Sequence, residues 1–187
     1  SMEFVDIAGI VKGASQGEGL GNQFLSHIRS TDAIVHVVRC FDDPNVIHVA
    51  GSVDPLRDME IINTELMLAD LDSVDKRIPK AEKLAKGSTD KKIKMELEIL
   101  KKIKVALDSG NPARSVPFEE RDELPIAKEL HLLTMKPVLY ACNVSDVDFA
   151  AGGNDGGKQG EKRSKEEGNN SIMICSAMEA EIALLPK

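Results

Sequence analysis

The sequence contains few aromatic residues and few cysteines, and it has no long apolar run. Aromatic side chains are 3% of its 187 residues, with no tryptophan and one tyrosine, so a base-stacking platform for single strands is not expected. The three cysteines are scattered and lack metal-ligand spacing, which is typical of a reducing compartment. No apolar segment reaches the roughly 18 residues that span a bilayer. We therefore expect a soluble, cytoplasmic protein with no membrane partner.

An excess of basic residues is absent as well. Acidic residues number 31 against 24 lysines and arginines, which gives a formal net charge of -7. This balance excludes a generally basic nucleic-acid binder but leaves local patches open. Hydrophobic residues make up 42% of the chain, enough for a sizeable core in one to one and a half domains.

Four short apolar runs predict strands, and their order predicts an α/β fold. They are Phe4–Ala8, Ala33–Val38, Pro137–Cys142 and Ser171–Cys175. Residues 33–38 are almost continuously apolar and β-branched, a pattern that favours a strand of a parallel sheet buried on both faces. Because an apolar run follows Ser1 and Met2 at once, we expect the chain to open in the middle of a domain.

A different period begins near Asp54 and predicts an antiparallel helical hairpin. Apolar residues recur at spacings of three and four up to Ala85 and again from Ile93 to Leu107, which is the coiled-coil alternation. We expect Pro79 to bend the first helix without breaking it. The sequence thus predicts a hairpin domain over 54–117, inserted into a nucleotide-binding domain formed by 1–53 and 118–187. The stretch 150–170 is rich in glycine, and we expect it to be a disordered or weakly helical insert.

Three motifs follow predicted strands, in an order that is typical of nucleotide-binding sheets. Asp6 and Gly9 fit D-x-x-G, in which the aspartate helps to hold Mg²⁺ through water and the glycine amide approaches the γ-phosphate. The second motif, Asn143-Val144-Ser145-Asp146, fits N-x-x-D, and Ser176-Ala177 is a third short motif. Doubly wound sheets place ligand loops at the carboxyl ends of their strands. We expect Asn143, Val144 and Met178 to line a nucleotide base; Val144 replaces the lysine that accompanies guanine recognition.

The sequence lacks some of the residues that serve hydrolysis in Ras-like enzymes. Ile10 follows the D-x-x-G glycine, where a Ras-like enzyme has the glutamine that orients water. Hydrolysis would need another polar residue, and His48 is the best candidate at the same sheet edge. The sequence contains no G-x-x-x-x-G-K-[ST] phosphate loop, so residues 1–187 alone are expected to bind ATP feebly and to be inactive.

These residues resemble the Obg-like ATPase (YchF) family. The resemblance rests on residues 2–39, MEFVDIAGIVKGASQGEGLGNQFLSHIRSTDAIVHVVR, and continues through 45–49, 61–66, 136–144 and 175–185. It implies a translation-factor-class P-loop protein that prefers ATP, with N-x-x-E as its usual base motif where this chain has Asp146. It also implies an inserted helical hairpin, a hydrophobic residue at Ile10, a hydrolytic histidine at His48, and two parts beyond this chain: a phosphate loop and a TGS domain.

The resemblance implies ATP and Mg²⁺ as cofactors and the ribosome as a partner. In the hairpin, residues 76–104 carry eleven bases against four acids, and a turn near Gly87 would gather the bases toward the tip. Lys83, Lys86, Lys91 and Lys92 form the candidate surface for ribosomal RNA, although a solvated helix face explains such a run equally well. An Obg-type GTPase and a nucleotide-independent RNA- or protein-binding helical module remain alternatives. We also expect an exposed sheet edge to favour self-association.

Overall fold

The computed structural model describes residues 2–7, 13, 21–43 and 51–185. These residues form an α/β structure. Its strands are β1 (Ile34–Arg39), β2 (Val138–Asn143) and β3 (Asn170–Ile174). Its helices are α1 (Gly21–Arg29), α2 (Pro55–Gly87), α3 (Lys91–Asp108), α4 (Glu123–Glu129), α5 (Asp146–Ala150), α6 (Asp155–Glu166) and α7 (Ser176–Ala183). Short 3₁₀ turns occur at Ala113–Ser115 and Leu133–Met135.

The three strands form one parallel sheet in the order β1-β2-β3. Ile34 pairs with Val138, and Leu139 pairs with Asn170. Parallel neighbours need crossover connections: the β1–β2 crossover contains α2, α3 and α4, and the β2–β3 crossover contains α5 and α6. The predicted α/β fold with a parallel sheet and an inserted hairpin is confirmed.

The two faces of this sheet differ in burial. Val38, Tyr140 and Cys142 lie on one face and belong to a buried cluster with Met59 and Val144. On the opposite face Val35, Val37 and Ile172 are exposed. Since alternate residues of a strand point to opposite faces, the prediction that β1 is buried on both faces is wrong for this side of the sheet.

The first predicted strand is also absent. Residues 2–7 have no regular secondary structure, and Phe4 and Val5 are exposed. A strand is stabilised by its ladder of hydrogen bonds with a neighbour, and among the described strands none pairs with this segment. Within the part of the chain that the structure describes, the apolar run therefore lacks the partner that would make it a strand.

The segment 150–170 contains helix α6 over residues 155–166, which agrees with the helical alternative of the prediction and not with the disordered one. Residues 155–166 form α6, whose buried positions Gly157, Gly160 and Ser164 are small and follow helical spacing. A Cβ added at Gly160 would lie 2.7 Å from Cys142 Sγ. The glycines therefore allow the helix to approach the sheet closely, and their abundance does not reflect chain flexibility.

Helices α2 and α3 form the predicted hairpin around a continuous apolar cluster. The cluster includes Val74 and Ala81 of α2 with Ile99, Leu100 and Ile103 of α3. Asp90 caps α3 by accepting a hydrogen bond from the Lys92 backbone N–H at 2.8 Å. Helix α2 is continuous through Pro79, so the prediction that this proline does not break the helix is confirmed.

The chain consists of two compact units. The first comprises 1–32 and 61–136, and the second comprises 33–60 and 137–187. These bounds differ from the predicted hairpin domain of 54–117, because α4 and the chain after it contribute Ile126, Leu130 and Leu132 to the hairpin cluster. No described helix is both long and apolar enough to cross a membrane.

Candidate functional site

The carboxyl ends of β2 and β3 bring two predicted motifs into direct contact. Asn143 is the last residue of β2, and Ser176 begins α7 just after β3. The side-chain Oδ1 of Asn143 accepts a hydrogen bond from the Ser176 backbone N–H at 2.9 Å. The N-x-x-D and S-A motifs therefore share one edge of the sheet, where parallel α/β folds place their ligand loops.

Asp146 lies in the first turn of α5, which starts directly after β2. Ser145 caps this helix by accepting a hydrogen bond from the Asp148 backbone N–H at 3.1 Å. A cap of this kind fixes the direction in which the helix leaves the strand. Asp146 is exposed, so its carboxylate is open to a ligand.

Val144 has a different environment from the one predicted. It is only 2% exposed and belongs to the buried cluster with Cys142 and Met59. Its backbone N–H donates to the Ile174 carbonyl at 2.9 Å, which extends the strand pairing by one residue. This burial argues against the predicted contact between the Val144 side chain and a base. Ser176, Ala177 and Met178, in contrast, are exposed at the start of α7.

Asn154 holds the segment beside this edge, and the sequence reasoning did not identify it. Its Nδ2 donates to the Cys40 carbonyl at 2.6 Å and to Asp148 Oδ2 at 2.7 Å. Its Oδ1 accepts a hydrogen bond from the Gly157 backbone N–H at 2.8 Å, which caps α6. An Asn before a polar helix is a recognisable cap signal, but the glycine-rich composition obscured it.

The predicted phosphate and hydrolysis residues are only partly described. Asp6 is exposed in the irregular segment 2–7. Gly9, Ile10 and His48 lie outside the described residues. Across the described part of the chain, no group of three metal-ligating side chains could hold an ion. A single exposed carboxylate suits a Mg²⁺ ion that takes most of its ligands from phosphates and water. It does not suit an ion whose ligands all come from the protein.

His36 is a packed histidine of the sheet. Its ring lies 5.4 Å from the Tyr140 ring, centroid to centroid. Burial lowers the pKa of His36 to about 4, and the carboxylates of Asp58 and Glu167 oppose this shift only in part. His36 is therefore neutral at pH 7.

The lysines of residues 76–104 fall into two groups. Lys92, Lys101 and Lys104 form ion pairs with Glu129, Glu82 and Asp75. Within the described ranges, no carboxylate lies within 4.0 Å of the ammonium groups of Lys80, Lys83, Lys86 or Lys91. Of the four predicted lysines, Lys83, Lys86 and Lys91 therefore keep an uncompensated charge, whereas that of Lys92 is partly neutralised.

A shallow open groove near the tip includes two of the unpaired lysines, Lys80 and Lys83, in its lining. Leu84, which also lines it, is 61% exposed. The residues around it are Lys80, Lys83, Leu84, Gly87, Ser88 and Ile93. The tip thus combines positive charge with an exposed apolar surface.

Buried charges on α2 were not recognised in the sequence. Asp70 is fully buried and accepts hydrogen bonds from the backbone N–H groups of Leu133 and Thr134 at 2.8 and 2.7 Å. The Thr134 hydroxyl also donates to it at 2.7 Å. The signal was available, because Asp70 precedes Val74 by four residues and so shares its apolar helix face.

The parallel sheet with its crossover helices is a G-domain-like α/β fold, and comparisons with known proteins identify the family. The family model described as "50S ribosome-binding GTPase" matches residues 1–102. The "Ribosome-binding ATPase YchF" of Bacillus subtilis is 53% identical over 186 residues, which are 99% of this chain and 50% of that protein. "Obg-like ATPase 1" of Oryza sativa is 47% identical over 148 residues, 79% of this chain and 37% of its own length.

A solved structure agrees with these matches. The Schizosaccharomyces pombe YchF GTPase superimposes with a TM-score of 0.79 at 38% identity, covering 96% of this chain and 49% of that one. The chain belongs to the 50S ribosome-binding GTPase family, in its Obg-like ATPase (YchF) branch. It spans about half the length of the curated relatives that it matches.

Proposed function

We propose that this chain is the central part of an ATP-hydrolysing switch protein that binds the ribosome. The contact between Asn143 and Ser176 carries the proposal, because it joins two base-recognition motifs at the ligand edge of a parallel sheet. Relatives that are about half identical to it are named ribosome-binding ATPases. The proposal assigns the sheet edge to nucleotide binding and the hairpin tip to the ribosome.

For the nucleotide base, we propose a site formed by Asp146, Ala177 and Met178 around Asn143. The first three are exposed. Asn143 acts indirectly, because its side chain orients the start of α7. This motif lacks the lysine that accompanies guanine recognition, and relatives about half identical to the chain are named ATPases; both observations support ATP rather than GTP as the substrate.

Nucleotide titration of the intact protein tests the base site. We expect ATP to bind tighter than GTP, and Asp146→Ala to change the ratio of the two affinities. Asp155→Ala is the matched control, since Asp155 is also exposed in the first turn of a helix. Clearly tighter binding of GTP would contradict the adenine preference and favour the Obg-type GTPase.

For hydrolysis, we propose that His48 orients the attacking water, because Ile10 has no polar group. Gly9 would approach the γ-phosphate, and Asp6 would hold Mg²⁺ through water. The metal would neutralise charge on the phosphates when it is bound. Loss of a positioned acid–base group costs on the order of 100-fold in rate or more. His48→Ala should therefore lower kcat by at least that factor in the intact protein, while His27→Ala, at an exposed position of α1, should not.

Residues 1–187 by themselves should lack activity. The sequence has no G-x-x-x-x-G-K-[ST] loop to supply the amides and the lysine that bind the β- and γ-phosphates. We therefore expect little ATP binding and no turnover by the purified chain. Steady hydrolysis by this chain, with a contaminating ATPase excluded by an Asp6→Ala variant, would contradict the assignment of the phosphate site.

For the hairpin, we propose that the unpaired lysines bind ribosomal RNA through its phosphates. Lys83, Lys86 and Lys91 are exposed and have no carboxylate partner among the described residues, and Lys92 adds a partly neutralised charge. Binding of this kind is electrostatic, and it weakens steeply with salt because counterions are released. Exposed Leu84 would add apolar contact within the groove.

Charge reversal tests the hairpin surface. Changing Lys83, Lys86 and Lys91 to Glu should abolish ribosome binding at low salt, and adding Lys92→Glu should have a smaller further effect. The matched control reverses Lys158, Lys162 and Lys165, which are exposed on α6 and change the net charge equally. Equal loss in both variants would indicate a net-charge effect. Unchanged binding in the hairpin variant would favour protein docking or a purely structural hairpin.

A further inference from the structure

Two described residues connect the region after the D-x-x-G motif to helix α2. The first is Gly13, whose backbone N–H donates a hydrogen bond to Glu65 Oε1 at 2.6 Å. Glu65 is only 4% exposed, although it is a carboxylate. A buried acid needs hydrogen-bond donors to remain stable, so this backbone contact contributes directly to the stability of the Glu65 position.

The second connection comes from Arg29, the last residue of α1. Its Nη2 donates to Ser73 Oγ at 2.8 Å, and its Nη1 lies 3.8 Å from Asp70 Oδ1. Ser73 is in turn bound to the backbone of α2, since its hydroxyl donates to the Ala69 carbonyl at 2.9 Å. Both ends of the segment 13–29 are thereby attached to one stretch of α2, between Glu65 and Ser73, about 12 Å long at 1.5 Å per residue.

The α2 side of these contacts is fixed by its own surroundings. Burial raises the pKa of Asp70, and the hydrogen bonds from Thr134 and Leu133, together with Arg29, oppose that shift. Since Asp70 is held by three donors besides Arg29, it cannot follow a displaced arginine. A change in the position of 13–29 must therefore either break these contacts or move this part of α2.

We propose that Glu65 is a positioning residue that couples the nucleotide state of segment 13–29 to the helical hairpin. The proposal rests on the proposed nucleotide-binding function, in which this segment follows the D-x-x-G motif and responds to the γ-phosphate. A nucleotide that displaces Gly13 leaves the buried carboxylate without this donor, which is unfavourable. The displacement is therefore transmitted to α2. By reciprocity, a ligand that shifts α2 through the hairpin changes the affinity for the nucleotide by the same factor.

Hydrogen–deuterium exchange in the intact protein tests the coupling. Exchange of the peptide 61–75 is compared with ADP and with a non-hydrolysable ATP analogue, and binding of both is measured separately with fluorescent nucleotides. We expect the exchange of this peptide to differ between the two nucleotides. Glu65→Ala should reduce that difference at least threefold. Glu65→Gln keeps an acceptor oxygen for the Gly13 N–H and should retain most of it.

A matched control and a second variant keep the result interpretable. Glu60→Ala changes an exposed acid of the same helix and should leave the difference intact. If Glu65→Ala does not fold, Ser73→Ala removes the 2.8 Å acceptor of Arg29 and should reduce the difference as well.

Different results would overturn the coupling through Glu65 and the proposed nucleotide-binding function. Nucleotide binding without any difference in the exchange of 61–75, or an equal difference in wild type and Glu65→Ala, would overturn the coupling and leave the nucleotide site standing. Absence of nucleotide binding by the intact wild-type protein would overturn the proposed function and the coupling together.

Discussion

The two compact units of the chain differ in how completely they cover their own apolar side chains. In the first unit, the hairpin helices, α4 and the chain after it enclose one continuous cluster with Ile99, Leu100 and Ile103 at its centre. In the second unit, the sheet is covered on the face of Val38 and Tyr140 but leaves Val35, Val37 and Ile172 exposed. Local helix pairing is enough to complete the first core, whereas a sheet needs a layer on each apolar face.

This contrast explains where single substitutions should have large effects. A substitution at a fully enclosed position removes packing contacts and hydrogen bonds that nothing replaces. A substitution on the uncovered sheet face should change the stability little, because water already contacts these side chains. The expected changes below are given as the free energy of unfolding of the purified protein.

The largest effect is expected for Asp70→Ala in the first unit. The change leaves the buried N–H groups of Leu133 and Thr134 without their acceptor and should cost about 3–5 kcal/mol. Urea denaturation monitored by circular dichroism measures it. Asp72→Ala, two residues away and exposed in an ion pair with Lys76, should cost about 0.3 kcal/mol. Similar values for both would show that the Asp70 network does not support the core.

Leu100→Ala should cost about 3 kcal/mol, since Leu100 is fully buried at the centre of the hairpin cluster. The control on the same helix is Val105→Ala, at an exposed position, and it should change stability by less than about 0.5 kcal/mol. Thermal denaturation compares the two. A small effect of Leu100→Ala would mean that the hairpin core is less tightly packed than the structure shows.

In the second unit, Gly160→Ala should cost about 1–3 kcal/mol, because its Cβ would lie 2.7 Å from Cys142 Sγ. Helix α6 or the sheet must shift to admit it. Gly87→Ala is the control, because an added Cβ would have no described atom within 4 Å apart from its chain neighbours and the backbone of its own helix. That change should be neutral or slightly stabilising. A neutral Gly160→Ala would contradict the close approach of α6 to the sheet.

A pH dependence of about 1–2 kcal/mol is expected from His36. Its pKa is about 4 in the folded protein, against 6.5 for an ordinary histidine. Between these values the unfolded chain binds more protons, so stability falls as the pH is lowered from 6.5 toward 4. His36→Phe should flatten the difference in stability between pH 7 and pH 5. His131→Asn, at an exposed histidine, should leave it unchanged.

The smallest change in stability is expected on the uncovered sheet face. Val37→Lys, at a position 60% exposed, should cost less than about 0.5 kcal/mol, whereas Val38→Lys, at 1% exposure, should prevent folding of the second unit. Val37→Lys should also reduce the predicted self-association through the sheet edge, because Val37 belongs to β1 at one end of the described sheet and a lysine on an edge strand opposes pairing between copies. Analytical ultracentrifugation checks this, with Val147→Lys, exposed on α5, as control. Association that is unchanged by Val37→Lys would assign it to another surface.

Periodicity and turn residues determined much of this structure. The spacing of apolar residues predicted both hairpin helices, because the buried face of a helix repeats every three to four residues along the chain. Short apolar runs predicted β1, β2 and β3 of the parallel sheet in the same way. The candidate base motifs were readable as well, since Asn143 and Ser176 each follow a predicted strand.

The features that the sequence did not predict depended on contacts with residues that only the tertiary structure brings close. Residues 2–7 have a strand-like sequence, but no neighbouring strand is found among the described residues and they form none. Gly157 and Gly160 suggested flexibility, yet they allow α6 to lie close to the sheet. Asp70 and Glu65 are buried because donors distant in sequence bind their carboxylates. The Thr134 N–H donates to Asp70, and the Gly13 N–H donates to Glu65. Local propensity acts through near neighbours in the chain, whereas the burial of a charge or a glycine is decided by residues distant in sequence that only folding brings together.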